Sequence, residues 1–578
     1  MTWLDWAIVI GLNGAIIAYG LHLARGTRGS ADFFLAGRQL PWWIVGVSMY
    51  ATAIDSSDLI ADTGGTYTLG LSYFVVNWLG VIGGWALGAF FIFPPMYRAG
   101  MYTNAEYLEA RFGVAARVIS VFVQVQYRTL VLAIIGKTVY LMLSIVCGWG
   151  PEAWWAVVAI AVLAAVYTSI GGLRSVVVTD GLQFIVMAAT ALVFWVMVWN
   201  HVGGWSGIEA RLAAVDADLP AQMLHIGEDR IDREDVSAAS AETVQRKLLL
   251  GGEYDPVDQV IVRRTPAGLV VLAFVIVGVA YSVVNHTQSM RMFAARSEWD
   301  LKMSAVVAGG IMLVFAFVNL SMGVMGRALY PDVSALPGGL TDAIYPHLMR
   351  QIGAVGLNGF LVAGVMAASL STYDSIGSTL SALLTRDVYA RLIVKNGTDR
   401  HYLWIGRGLT ILVIGGSFAY VPFLEGGMLL FYLDLTSAFV VPLLTLYLMG
   451  TLTRVHRKAG LVGLLAGTVY GMVRLVAPTI AARYGVRILP VLLLDSSGAY
   501  LYSLLLTAGV MIGVSLWIGW APRGALFRTE ADGWLRATQL EVRAQSSSRG
   551  AMRSATLPAV LAALVVAAGA VLSFVVFW

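Results

Sequence analysis

A single cysteine in 578 residues, Cys147, excludes an internal disulfide framework. Charge is scarce as well: Asp, Glu, Lys and Arg make up 12% of the chain and hydrophobic residues 58%, whereas charged residues alone make up roughly a quarter of a soluble domain. Neither sign dominates. With 38 Lys and Arg against 34 Asp and Glu, the net charge of +4 calls for no nucleic acid or other acidic partner. The seven histidines are scattered, with no HExxH pair or Cys/His cluster, and no GxSxG elbow occurs. Gly136-Lys137-Thr138 looks like the end of a phosphate loop, but Val131 stands where its first glycine belongs and an apolar helix surrounds it. The chemistry of a soluble enzyme is thus not visible, and no organic cofactor is expected.

What the chain has in abundance is apolar length. About fourteen stretches can cross a hydrocarbon core, which takes roughly 20 apolar residues: 3–23, 41–66, 70–96, 114–148, 152–172, 176–199, 266–290, 302–328, 355–384, 403–421, 427–450, 459–479, 498–520 and 556–577. The first lacks both a basic flank before it and a small-residue cleavage site after it, so it reads as a retained helix and not a signal peptide. The 62 glycines suit close helix approach in a bundle. The expectation is an all-α polytopic protein of the cell membrane.

Basic residues fall in alternate loops: Arg25, Arg28 and Arg38; Arg98 and Arg111; Arg174; Arg291, Arg296 and Lys302; Arg386 and Lys395; Arg454, Arg457 and Lys458; Arg523, Arg528 and Arg536. The segments 66–70, 149–151 and 422–426 are nearly bare. By the positive-inside rule the first set is cytoplasmic, which puts both termini outside. Thr103 with Glu106 reads as a capping box before "EYLEARFG", and Pro151 and Pro266 sit where a first helical turn would begin. The polar insertion 203–262 reads as either a small soluble element or a mobile loop, and 521–554 as a flexible connector with no signalling domain in it.

The ionisable residues inside the spans cluster. Asp55, Asp58 and Asp62 are spaced three and four apart, so on a continuous helix they share one face, and a carboxylate facing lipid costs several kcal/mol. Ser56, Ser57, Thr63, Gly64 and Gly65 weaken the helix there, pointing to an unwound segment, which membranes tolerate where it lines a cavity or binds something. The alternative is a polar seam between helices with paired or protonated acids. A second stripe runs along one helix face through Ala368, Ser371, Thr372, Ser375 and Thr379, with Asp374 beside it. Hydroxyls and a carboxylate form a hard-oxygen set suited to a small cation, although such hydroxyls also bond backbone in membrane helices.

At these residues the chain resembles the sodium:solute symporter family, which includes sodium/glucose, sodium/galactose, sodium/proline and sodium/sialic acid symporters. The resemblance rests on "FFLAGRQLPWWIVGVSMYATAID", "NAEYLEARFG", "VYTSIGGLRSVVVTDGLQF", "NHTQSMRMFAARS" and "SLSTYDSIGSTLSALLTRDVY", in family order across about 30–450. It implies a leucine-transporter-type core of five-plus-five helices in inverted repeats at 41–199 and 266–450, the first helix of each broken. Around the core lie an extra helix and inner loop at 1–40, the outer polar loop at 200–265, additional helices at 451–520, a cytoplasmic connector at 521–554 and a C-terminal helix at 555–578. The family's sodium site maps onto Ala51 and Ile54 with Ala368, Ser371 and Thr372. A second sodium site maps onto Asp180, Ser371, Asp374 and Ser375, with Asp180 alternatively a cap near the inner end of its helix.

The solute positions of sodium/galactose relatives map onto Asp58, Asn77, Asn285 and Asp434, beside Asp55. Only Asn285 keeps the sugar-site residue, and Met312 stands near the expected lysine, so galactose-like recognition is in doubt. Two added acids suit an ammonium-bearing solute or polyol hydroxyls; Lys137 or Arg128 is placed to neutralise one of them. Tyr73, Tyr281, Phe431 and Tyr432, with Phe74, are candidate gates or stacking surfaces. The expectation is a sodium-coupled symporter, with Na+ as coupling ion and not cofactor, importing a small polar solute through the bilayer by alternating access. A proton-coupled carrier titrating Asp55 and Asp374, an amine or amino-acid symporter, and a transporter-derived sensor remain as alternatives.

Overall fold

A computed structural model of the chain describes all residues except 25–28, 236–243, 245–247, 249–252, 256–258, 425–427, 529–531, 549–553 and 555. Arg25 and Arg28 therefore lie outside the described residues, and so does the side chain of Phe431. The chain begins with α1 (Trp3–Ala24), then α2 (Trp42–Ala53) and α3 (Ser56–Leu69) in close succession, α4 (Val76–Arg98), a short α5 (Asn104–Phe112), α6 (Val114–Cys147) and α7 (Ala153–Val202). A polar insertion leads to α8 (Ala267–Val284), α9 (His286–Phe293), α10 (Glu298–Leu329), α11 (Leu357–Ile393), α12 (Asp399–Pro422) and α13 (Tyr432–Leu452). The last elements are α14 (Ala459–Tyr484), α15 (Gly498–Ile518), α16 (Gly533–Ser548) and α17 (Thr556–Val576).

Among the described residues twelve helices are long and apolar enough to span a membrane, two fewer than the sequence suggests. The difference has two physical sources. The 50-residue α7 would be about 75 Å long at 1.5 Å per residue, more than twice a hydrocarbon core. It is bent at Gly172 (φ +64°, ψ −174°), where a Cβ would come within 2.7 Å of the Phe33 ring. The stretch 42–69, in turn, is divided into two pieces that are each shorter than a span.

That division lies at Ile54 (φ −117°, ψ 113°) and Asp55 (φ −126°, ψ −171°), between α2 and α3. Its chemistry is a capping box: Asp55 Oδ1 accepts from the Ser57 N–H at 2.7 Å, and Asp58 Oδ2 accepts from the Asp55 N–H at 2.8 Å. These bonds satisfy donors that a helix start leaves orphaned. The unwinding expected around Thr63, Gly64 and Gly65 is not there; these residues are helical. The two glycines serve close packing instead: a Cβ on Gly64 would come 2.9 Å from the backbone of Asp342, and one on Gly65 would come 2.2 Å from Leu429. The second repeat breaks in the corresponding way at Asn285 (φ −64°, ψ 107°), between α8 and α9, where Asn285 Oδ1 accepts from the Thr287 N–H at 3.0 Å.

Packing brings α11 against α7 and α6, with α1 on their flank, while α10 covers both halves of the broken α2–α3 pair. The described parts of the polar insertion form two short helices and an antiparallel sheet of β1 (Arg230–Asp235), β2 (Glu253–Asp255) and β3 (Val260–Thr265) in the order β1-β3-β2, with Arg230 opposite Thr265 and Asp235 opposite Val260. The expected connector 521–554 departs from expectation, since α16 fills half of it and docks on the bundle. Trp534 stacks on Tyr402 at 4.0 Å and Gln539 Nε2 donates to Glu106 Oε2 at 2.8 Å. The Thr103 cap on α5 is present at 3.3 Å to the Glu106 N–H, but Glu106 reaches back to the N–H of Tyr102 and not that of Thr103.

Candidate functional site

The break after α2 faces α11. Ser371 Oγ lies 3.1 Å from the Ala51 carbonyl oxygen at the end of α2 and 2.7 Å from Asp180 Oδ1 on α7, tying three elements together. Thr372 Oγ1, the next hydroxyl, is fully buried and has no hydrogen-bond partner among the described residues. A buried polar oxygen left bare costs roughly 1–3 kcal/mol, so its presence asks for a ligand. Ile54 is buried at the first non-helical residue, and Ala368 is buried one turn before Thr372.

Asp180 is not a helix cap. It is fully buried, and Arg291 Nη2 of α9 bonds its Oδ2 at 3.0 Å. Arg291 also donates from Nε to Ser48 Oγ at 2.7 Å and from Nη2 to Ser375 Oγ, and Ser48 Oγ donates to Asp180 Oδ2 at 2.5 Å. A guanidinium thus shares the residues mapped onto a second sodium. Asp374 is held by Tyr167 Oη and by Ser375 Oγ at 3.2 Å. Counting Arg291 among loop cations is therefore corrected: it is 0% exposed, as is Arg386, and Arg111 is 1% exposed. A count of basic residues treats every Lys and Arg as solvated, and the signal that separates these three is the polar company they keep.

Beyond the break, on the α3 side, lies a partly open cavity. Asp55, Asp58, Asp62 and Asn77 line it, with Tyr73, Tyr281 and Tyr432 as aromatic walls and Met312 on α10. Tyr73 Oη donates to Asp62 Oδ1 at 3.0 Å, and the Tyr432 and Tyr127 hydroxyls bond each other. Arg128, on α6, also lines the cavity, while Lys137 turns away to the Tyr140 ring at 5.5 Å. Two solute residues expected from the sequence fall elsewhere. Asn285 is fully buried as the cap of α9 and does not line the cavity. Asp434 is bound by Arg474 Nη2 of α14 at 2.5 Å, outside the cavity, because a helix beyond the core reaches in to claim it.

At the α5 end of the bundle a second charged cluster went unread in the sequence. Arg117 pairs with Glu109 and, at 2.5 Å, with Asp387 of α11, with Glu106 3.8 Å away, and Arg386 Nε bonds Glu106 at 3.1 Å. Arg386 is stacked between Tyr102 at 3.6 Å and Trp534 at 4.9 Å. These are contacts between helices, with no opening toward the cavity among its lining residues.

Comparison with known proteins agrees with this architecture. The model of the sodium:solute symporter family matches residues 33–467. The chain is 28% identical to the sodium/glucose cotransporter 2 of Rattus norvegicus over 80% of this chain and 70% of that protein. It is 27% identical to the sodium/glucose cotransporter 4 of Danio rerio over 93% and 82%, and 26% identical to the sodium/myo-inositol cotransporter 2 of Homo sapiens over 82% and 70%. Among solved structures, a Na+-coupled sialic acid symporter superposes with a TM-score of 0.71 at 18% identity, covering 90% of this chain and 99% of that one. A nucleobase-cation-symport-1 family transporter follows at 0.52 and 13%, covering 89% and 99%. These two likenesses speak for the fold, the inverted-repeat core of leucine-transporter type. With well over half of its length under the family model, the chain belongs to the sodium:solute symporter family, whose members are sodium-coupled membrane transporters and not enzymes.

Proposed function

We propose that the chain imports a small polar organic solute together with sodium, by alternating access. The observation that carries this reading is the junction of α2 and α11: the Ser371 hydroxyl on the Ala51 carbonyl, the bare Thr372 hydroxyl beside it, and the helix break at Ile54. Sodium bound by Ala51, Ile54, Ala368, Ser371 and Thr372 would fix the end of α2 against α11. The solute would sit a few residues further along the chain, against Asp55, Asp58 and Asn77, so the ion and the solute order the same broken helix. Linkage then requires each to raise the other's affinity. Asp180 with Ser371, Asp374 and Ser375 is the candidate second site, where an ion would have to share Asp180 with Arg291. Both termini outside, on the basic-loop argument, put α3 and the cavity on the outer half.

The energy source suffices. One charge crossing is worth about 2.3 kcal/mol per 100 mV, and a tenfold gradient about 1.4 kcal/mol. A single sodium thus sustains a solute ratio on the order of several hundredfold. The names of the relatives support a sugar, an inositol or a sugar acid as solute class. In proteoliposomes loaded without sodium, uptake from a panel of these should follow an inward sodium gradient. Ser371→Ala and Thr372→Ala should each raise the sodium concentration for half-maximal uptake, by about 5- to 100-fold for loss of one buried oxygen ligand. Unchanged sodium dependence in both variants refutes the ligand assignment. Uptake driven by a proton gradient in sodium-free medium refutes sodium coupling.

A further inference from the structure

α16 lays one face on the α5 end of the bundle. Trp534, Leu535, Thr538, Gln539 and Val542, at three- and four-residue spacing, are buried, while Arg536, Leu540 and Arg543 are exposed. The buried face reaches three core elements. Gln539 Nε2 donates to Glu106 Oε2 of α5 at 2.8 Å, Thr538 Oγ1 accepts from Nη1 and Nη2 of Arg386 on α11 at 3.3 Å each, and Trp534 Nε1 donates to Asp399 Oδ1 at the start of α12 at 3.2 Å.

Arg386 is the centre of this contact. It is fully buried, its Nε bonds Glu106, and its guanidinium lies between the rings of Tyr102 and Trp534. Part of what satisfies a buried charge on α11 therefore comes from a helix outside both repeats. Beneath α16, ion pairs hold the core elements together: Arg386 with Glu106, and Arg117 of α6 with Glu109 and Asp387. Such pairs are roughly several-fold weaker in contact with water than in the protein interior. The cavity is partly open on the α3 side and has no lining residue at this end. Alternating access then requires the seam between α5 and α11 to part. From this arrangement we propose that α16 is a releasable clasp: docked, it keeps water out of the α5–α11 seam, and undocked, it lets that end open toward the cavity. The inference rests on the alternating-access reading and adds to it the element that sets how readily this end opens.

The test uses full-length protein in proteoliposomes, with Cys147→Ser removing the single native thiol and Val131→Cys on the cavity wall reporting access. A membrane-impermeant thiol reagent is applied from each side, with thermal unfolding as a fold control. Trp534→Ala with Gln539→Ala should speed labelling from the α5 side by about tenfold or more, as for loss of a hydrogen bond to a charged group, with no gain from the α3 side. A second variant closes the clasp instead. Tyr402→Cys with Trp534→Cys, at rings that stack 4.0 Å apart, is joined by a short reducible crosslinker in the Cys147→Ser background. Backbone amides of 104–112 and 384–393 should exchange about tenfold or more slowly in the joined protein than after reduction. Unchanged labelling from the α5 side, an equal gain from both sides, or exchange indifferent to the crosslink overturns the proposal. Where α16 governs access but wild type takes up no sugar, inositol or sugar acid, the clasp stands and the proposed function falls. Sodium-driven uptake by wild type, with access indifferent to α16, does the reverse.

Discussion

Single aspartates in this bundle have different fates that depend on which helix reaches them. Asp58 faces the cavity, whereas Asp434 is paired with Arg474 and Asp180 with Arg291. Asp58→Asn should therefore alter solute choice, measured as the ratio of uptake rates across a solute panel, while Asp434→Asn, at a half-exposed carboxylate already committed to Arg474, should leave that ratio within about twofold. A buried ion pair that loses one member leaves a charge uncompensated at roughly 3–5 kcal/mol. Arg117→Met removes the partner of Glu109 and Asp387 together and should cost about that much. A large drop in thermal unfolding midpoint, with the remaining folded fraction still taking up solute, would bear this out. Loss of uptake with an unchanged midpoint would show that the cluster has a direct role in transport.

Among the elements, the two broken helices share one local chemistry. Asp55 and Asn285 do the same job, each capping the second half of its broken helix. Asp55→Ala should cost the α3 start about 1 kcal/mol and, on the proposed function, in which sodium and solute both order that segment, weaken apparent affinity for the two together. Weakening of only one of the two would uncouple them. The acids at 55, 58 and 62 announced an unusual helix from sequence alone, and the hydroxyl pair at 371 and 372 was legible because three- and four-residue spacing fixes a helix face. The position of the break was not. Gly64 and Gly65 weaken a helix by propensity, but here they are paid back by close packing on Asp342 and Leu429, a long-range fact that no local pattern contains. The same limit hid α16, whose polar sequence reads as solvated until Glu106 and Tyr402 are seen to receive Gln539 and Trp534.

For the whole molecule, the family order of motifs made the inverted-repeat core readable, because each repeat needs a full set of apolar spans in sequence. Pairings across repeats, such as Arg291 with Asp180, were unreadable because they join residues more than a hundred positions apart. On the proposed function, sodium held between the end of α2 and α11 orders the break that shapes the solute cavity. Hydrogen–deuterium exchange on the purified full-length chain, in sodium against potassium at equal ionic strength, tests it without knowledge of the solute. Backbone amides of 51–58 and 368–376 should exchange more slowly in sodium, by about tenfold or more if bound ion stabilises the closed segment by 1.4 kcal/mol. That protection should vanish when Ser371 and Thr372 are both replaced by Ala. Identical exchange in the two salts across these segments, in a protein that still takes up solute, would contradict the account.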